Sequence, residues 1–365
     1  MILKELLNYL ESWAPPAYQE SYDNSGLITG DEPSEIKGVL VSLDCIESVV
    51  DEAIEKNCNV IIAHHPIVFK GLKSLTGKTY VERTIIKAIK NDISIYAIHT
   101  NLDSVQTGVN GRIAERLGLM NCQILAPKKE ALTKLTVFVP TQHTGKLLDA
   151  LYEAGAGDIG NYTNCSFRTT GKGTFKANEN ANPTIGSRGV YEEVDESRIE
   201  VIFPKHIQNQ VLRGMRKGHV YEEIAFYLTP LANTFQDVGS GMIGQLPEPM
   251  ESVEFLKFLK EKMQTEVVKY TDLVKDKIQM VALCGGSGGF LLPYAKRASA
   301  DIFITADYKY HEYFDADNQL IIADIGHYES EQFTKELIRD AILKKFTNFA
   351  TYLSEVKTNP VHYLK

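Results

Sequence analysis

Two adjacent histidines, His64 and His65, end the apolar run 59–63 and are followed by Pro66. A strand that stops on imidazoles delivers them to the edge of a core, a costly placement unless something binds them. His99 and Asp103 stand in His99-Thr-Asn-Leu-Asp103, straight after the apolar run 93–98, and His327 and Glu331 follow the run 320–324. All three groups lie just past the C-terminal end of a predicted strand, the edge at which open α/β sheets bind ligands. Two to three histidines with two carboxylates suit a borderline divalent ion: Zn, Fe, Mn, Co or Ni. Five or more ligands exceed the three that a catalytic zinc usually takes, and fit two ions about 3.5–4 Å apart. Adjacent side chains on an extended strand point opposite ways, so His64 and His65 either turn into one cavity or each serve a different ion. His327 and Glu331 are four apart and share a face if a helix starts near His327.

Two further groups have chemical potential. Gly285, Gly286, Ser287, Gly288 and Gly289 follow a predicted strand and precede a helix. Glycines there let backbone amides approach an anion such as phosphate, although the spacing is neither GxGxxG nor a Walker motif. The alternative is a tight strand–helix turn. In Asp307-Tyr-Lys-Tyr-His311, Asp307 ends a strand, and His311 falls on the same face if a helix begins there. The pair is expected to orient ligands or to act as general acid and base. Asp44 and Asp324 also end strands and are weaker candidates, and Asn24 reads as a turn residue. Cys165 has no base beside it in sequence and is not expected to be a nucleophile.

The elements that must hold these groups alternate. Strands are predicted over 38–44, 60–65 and 93–99, with helices over 48–56, 80–91 and 108–117 between and after them. The rhythm returns with strands over 277–284, 301–307 and 319–324 and helices over 290–298 and 329–346. Alternation of this kind means a mainly parallel sheet covered by helices, and near-continuous apolar runs suit strands covered on both faces. The middle differs: strand 134–140, helix 143–155, a glycine-rich polar stretch 155–189, strand 197–204, helix 207–218 and strand 220–228. That order suggests a ferredoxin-like insertion. The expected division is 1–125 and 246–365 as the two halves of a core domain, with 126–245 inserted.

Bulk properties narrow the classes. A chain of 365 residues supports two domains. A net charge of −8 with no Lys/Arg stripe argues against non-specific nucleic-acid binding. The N-terminal stretch is an amphipathic helix and not a signal peptide, and no apolar run approaches the roughly 18 residues that span a bilayer. Five scattered cysteines without a CxxC pair read as reduced thiols of a cytoplasmic protein.

The strand–His64-His65-Pro66 motif, His99-Thr-Asn-Leu-Asp103, the Gly285–Gly289 turn and His327-Tyr-Glu-Ser-Glu331, in this order, resemble the Nif-three-like family of dinuclear metal-centre proteins, often called GTP cyclohydrolase 1 type 2 homologues. The stretch 160–175 resembles the PII-like (CutA-like) insertion of the longer bacterial members. The resemblance implies a Nif-three-like core with an inserted α+β domain, and metal ligands at His64, His65, Asp103, His327 and Glu331. It also implies a toroidal homohexamer built as a trimer of dimers. Two functions follow as expectations. One is a metal-dependent hydrolase of a nucleotide or phosphoester, with Asp307 or His311 moving protons and Gly285, Gly286, Ser287 and Gly288 holding a substrate phosphate. The other is a regulatory protein that senses a metal or small molecule without turnover.

Overall fold

Short runs of aliphatic and β-branched residues become strands because they can be buried on both faces. The computed structural model describes residues 1–364. Before the insertion the strands are β1 (Gly26–Thr29), β2 (Val39–Ser42), β3 (Val60–Ala63), β4 (Ser94–Ala97) and β5 (Met120–Lys128). Within it come β6 (Leu132–Pro140), β7 (Phe167–Lys176), β8 (Tyr191–Pro204) and β9 (Phe226–Pro230). After it come β10 (Phe235–Glu251), β11 (Lys269–Tyr270), β12 (Lys277–Ser287), β13 (Ile302–Ala306), β14 (Ile321–Asp324) and β15 (Thr351–Leu353). The chain is a mixed α/β protein that divides into two units. One runs over Met1–Pro127 and resumes at Gln236; the other is Lys128–Phe235.

The first unit contains two sheets, ordered β1-β4-β3-β2-β15 and β11-β14-β13-β12-β10-β5. The centre of each is parallel: β2, β3 and β4 in one, β12, β13 and β14 in the other. Every residue of β2, β3, β4, β13 and β14 is buried, which is why their sequences show no alternation. Register aligns the strand ends that carry the chemistry. Ser42 pairs with Ala63 and Ala63 with Ala97, so Asp44, His65 and His99 leave the first sheet at one edge. Thr305 pairs with Asp324, which places Asp307 and His327 together beyond the second sheet. Amphipathic helices cover the strands. Tyr80–Lys90 is one, capped by Thr79, whose side chain accepts from the Glu82 amide. The expected closing helix is two pieces, His327–Glu331 and Thr334–Lys345.

In the second unit the four antiparallel strands are ordered β7-β8-β6-β9, with helices Thr144–Glu153 and Gln208–Gly218 following β6 and β8. This βαββαβ path with the first and third strands central is ferredoxin-like. Its core joins Leu135, Val137, Leu147, Leu151, Ile199, Val201, Val211 and Met215. Strand β7 lies within the glycine-rich polar stretch 155–189, where no strand is expected. Eight of its ten residues are exposed and none is fully buried, so it carries no apolar alternation, and it exists as a strand by pairing with β8 over its whole length. The chain also returns to the first unit before the expected boundary at 245/246. Residues 236–245 belong to β10, where Met242 pairs with Leu283 and Gly244 with Val281 of β12. Among the described residues, no helix is long and apolar enough to cross a membrane.

Candidate metal centre

His64 and His65 extend the ladder of β3 by one step each, their amides donating to Ser42 and Leu43 carbonyls at 3.2 and 2.9 Å. The chain then turns, and the two rings lie 4.9 Å apart in one cluster instead of on opposite faces. After β4, His99 precedes a single helical turn, Thr100–Asp103, which sets Asp103 back over the same place. After β14, the five-residue helix His327–Glu331 presents His327 and Glu331 on one face, Nε2 to Oε2 at 3.1 Å. Elements from both halves of the first unit thus bring together His64, His65, Asp103, His327 and Glu331, with His99 beside them.

All four histidines are oriented through Nδ1. His64 Nδ1 is 2.8 Å from the Ile98 carbonyl, His65 Nδ1 is 2.8 Å from Asp44 Oδ1, His99 Nδ1 is 2.7 Å from Asp23 Oδ1 and His327 Nδ1 is 2.6 Å from Asp307 Oδ2. A carbonyl or carboxylate only accepts, so each Nδ1 carries the proton and donates it. Every Nε2 is therefore the ligand atom, the arrangement typical of metal-binding histidines with a second partner behind the ring.

The centre of the cluster is Glu331, buried, with Oε2 at 2.9 Å from His65 Nε2, 3.1 Å from His327 Nε2 and 3.9 Å from His64 Nε2. Burial opposes its charge, but His327 and His65 outweigh that and hold its carboxyl well below the ordinary value. His65 and His327 respond in kind. Burial lowers both, yet Asp44 and Glu331 lift His65 to about 10, while Glu331 and Asp307 lift His327 to about 11. His64 is fully buried, and burial pushes it down to about 3, so its ring is neutral. Asp103 is raised well above the carboxylate range by burial and then by the charge of Glu331.

The decisive detail is at His64. Its Nε2 and Asp103 Oδ1 face each other at 3.5 Å, both buried and both without a hydrogen-bond partner among the described residues. Unpaired buried polar atoms are uncommon because each loses its hydration without compensation. Two lone-pair donors converging on one point fit a cation. The ligand atoms of His64, Asp103 and Glu331 form one compact trio, those of His65, His327 and Glu331 a second, and those of His64, His65 and His99 a third. The donor set is nitrogen and oxygen, with no thiolate among the trios.

The cluster lines a cavity of about 1040 Å³. Tyr22, Phe69 and Phe290, all exposed, form part of its wall, as do Pro360, Val361 and Tyr363. The segment that brings the latter three there is pinned by its own side chains: Thr358 Oγ1 donates to Asp44 Oδ2, and Asn359 Nδ2 donates to Glu329 Oε1 at 3.0 Å.

Other expected site residues take different places. The amides of Gly285, Gly286 and Gly288 donate to Asn110, Ser330 and Thr305 side chains, so three of the turn's donors are committed inside the protein and do not form a phosphate cradle. Their glycine identity serves close approach. A Cβ on Gly286, whose φ is +62°, would stand 2.5 Å from Glu331 Oε1 and 3.2 Å from the His327 ring. Ser287 lines the cavity and pairs with Ala306. Asp307 sits in the left-handed region at φ 56° and serves His327, and is thus a positioning residue. No α-helix follows it. His311 stands in the 3₁₀ segment Tyr310–Ala316, exposed against Tyr310 and outside the cavity wall, so it shares no face with Asp307. Asp324 is buried and paired with Lys269, and Asn24 donates to the Val68 carbonyl, a loop role. Asp23 was missed. It ends no strand, and its role rests on bonds to His99, Thr100 and Ser25 that only folding creates.

A family model described as Duf34/NIF3 (NGG1p interacting factor 3) matches residues 1–360. The chain belongs to this family. It is 41% identical over 359 residues to a protein of Halalkalibacterium halodurans, covering 98% of this chain and 96% of that one. It is 37% identical over 371 residues to a protein of Bacillus subtilis, covering 99% and 98%. Both relatives are named GTP cyclohydrolase 1 type 2 homolog. Among solved structures, a Bacillus cereus protein related to NIF3 superposes with a TM-score of 0.87 at 37% identity, covering 100% of this chain and 99% of that one. A Staphylococcus aureus protein gives 0.80 at 31% identity over 100% and 99%. The Nif-three-like architecture and the family expected from the four motifs are therefore those of the chain.

Proposed function

We propose that this member of the Duf34/NIF3 family binds two divalent cations that share Glu331, and that the centre hydrolyses a nucleotide or other phosphoester. The observation that carries the reading is the pair of ligand trios meeting at Glu331, one of which holds the unpaired His64 Nε2 and Asp103 Oδ1. His64 and Asp103 would hold one ion and His65 and His327 the other, with Glu331 between them. Such a pair supplies Lewis acidity to a substrate oxygen and acidifies water. The chain's own residues fix its geometry: Asp44 and Asp307 hold His65 and His327 by Nδ1, and the Ile98 carbonyl holds His64. The relatives' names suggest GTP as the first substrate to try. We extend the proposal to a toroidal homohexamer, whose mass sedimentation of the purified protein tests, and to a cytoplasmic location, which cell fractionation tests.

One observation favours the second reading, a sensor of metals or small molecules without turnover. The side chains expected to move protons are engaged elsewhere: Asp307 is committed to His327, and His311 stands outside the cavity wall. Metal-loaded protein, with Zn, Fe, Mn, Co and Ni in turn, should release formate from GTP or phosphate from a nucleotide and phosphoester panel. His64→Ala should abolish that release. Two bound ions with no turnover on the panel would replace the hydrolase by the sensor, and fewer than two would refute the dinuclear centre.

A further inference from the structure

We propose that Lys269 is the anion-recognition residue of this cavity, contacting a phosphate-type oxyanion on the ligand that the centre accepts. The proposal rests on the metal-centre reading above. Among the described residues that wall the cavity, Lys269 is the one Lys or Arg, while Asp44, Asp307, Asp324, Glu329 and others carry carboxylates.

The ammonium is placed from two sides. Strand β11 is only Lys269–Tyr270 and pairs antiparallel with β14, where Lys269 stands opposite Asp324. Lys269 Nζ then meets Asp324 Oδ2 at 2.7 Å. Asp324 itself is buried and held by the Tyr308 amide and Tyr313 hydroxyl at 3.2 Å each and by the Gly326 amide at 3.0 Å. A carboxylate with four donors is a rigid post. It takes one of the three ammonium hydrogens and leaves the others for a ligand. The Lys269 side chain is more than half exposed, so a ligand can reach it. The hydrogen bond from His327 is the main cause that holds the Asp307 carboxyl below its ordinary value, and the charge of Lys269 adds a smaller contribution.

The competing anion site has lost most of its donors. Gly285, Gly286 and Gly288 direct their amides to Asn110, Ser330 and Thr305, so three donors of the turn that the sequence offers as a phosphate cradle are occupied. A bound cation pair would offset the carboxylates of Asp103 and Glu331 and make the floor attractive to an oxyanion, and Lys269 adds a directional, charge-assisted donor beside it.

The test uses full-length, metal-loaded protein and inorganic phosphate as probe, followed by calorimetry, with the metal content of each sample measured. The proteins are wild type, Lys269→Arg, Lys269→Met and the double variant Lys269→Met/Asp324→Asn, which avoids leaving a buried carboxylate short of a partner. The expected result is an unchanged metal content throughout, phosphate affinity reduced about tenfold in both Met variants, and affinity retained in Lys269→Arg, the scale of one charge-assisted contact. Wild-type affinity in the Met variants at full metal content overturns the role of Lys269 and leaves the metal centre standing. No phosphate binding by metal-loaded wild type also overturns it. A wild type that takes up no metal overturns the metal centre and this proposal with it.

Discussion

At the scale of single residues, the chemistry is decided by what stands behind each imidazole. Asp44 and Asp307 belong to none of the three ligand trios, yet each fixes the tautomer and tilt of a ring. Asp44→Asn should therefore lower metal affinity about 10–100-fold while the fold persists, as replacement of such partners generally does. Competition with a chromophoric chelator measures this, and unchanged affinity would refute the positioning role. The protonation of the cluster makes a second prediction. In the metal-free protein His65 and His327 lie at about 10 and 11, above the ordinary 6.5. A raised histidine stabilises the fold fully below the unfolded value and loses that contribution as pH rises through the folded one. Metal-free protein should thus lose Tm between about pH 7 and 11, since both groups discharge over that span. For the same reason, metal uptake at pH 7 should release protons, because a ligand nitrogen must give its proton up. Calorimetry in two buffers of different ionisation enthalpy reads the release, and identical heats would contradict it.

At the scale of elements, the site is made of strand ends and very short helices. The turn Thr100–Asp103 and the helix His327–Glu331 are too short to stand alone, and each follows directly on a sheet strand. The close approach of the second helix to β12 depends on Gly286. Gly286→Ala would force a Cβ against Glu331 and His327 at a positive φ. The expected cost is about 1–3 kcal/mol for the backbone alone, with loss of bound metal beyond what the stability change explains. Thermal melting and metal analysis of the same sample check this, and full metal content at wild-type Tm would show that the turn has room. The sequence places the Gly285–Gly289 turn correctly after a strand but suggests an anion cradle. The difference arises because glycine permits close approach by any partner, and here the partners are a ligand carboxylate and a ring of the protein itself.

At the scale of the whole molecule, the metal centre belongs to one unit although the chain leaves that unit and returns. The unit's departure and return lie on β5 and β10, which are neighbours in one sheet. Replacing residues 129–234 by a short Gly/Ser linker should therefore leave the first unit folded with the metal content of the full chain, since the ends to be joined start from adjacent strands. A product that expresses folded but binds no metal would show that the insertion contributes to the centre.

Much of this was legible in the sequence. The residues 60–65, 93–103 and 320–331 announce strands ending in ligands, because strands buried on both faces are continuous apolar runs and a polar residue at their end stands out. The ligand types and the helical spacing of His327 and Glu331 are local facts of the same kind. Strand β7, the split of the last helix, Asp23 behind His99, the committed amides of Gly285, Gly286 and Gly288, and the exposed place of His311 were decided by tertiary structure alone. Strand β7, Asp23 and the glycine amides depend on partners elsewhere in the chain, and a residue's type does not say which partner the fold will bring to it. The histidine pair 64–65 shows the division. Their identity marks a ligand site, but only the packing of Asp103 and Glu331 around the buried His64 leaves two lone pairs facing one another, and that juxtaposition is what calls for a cation.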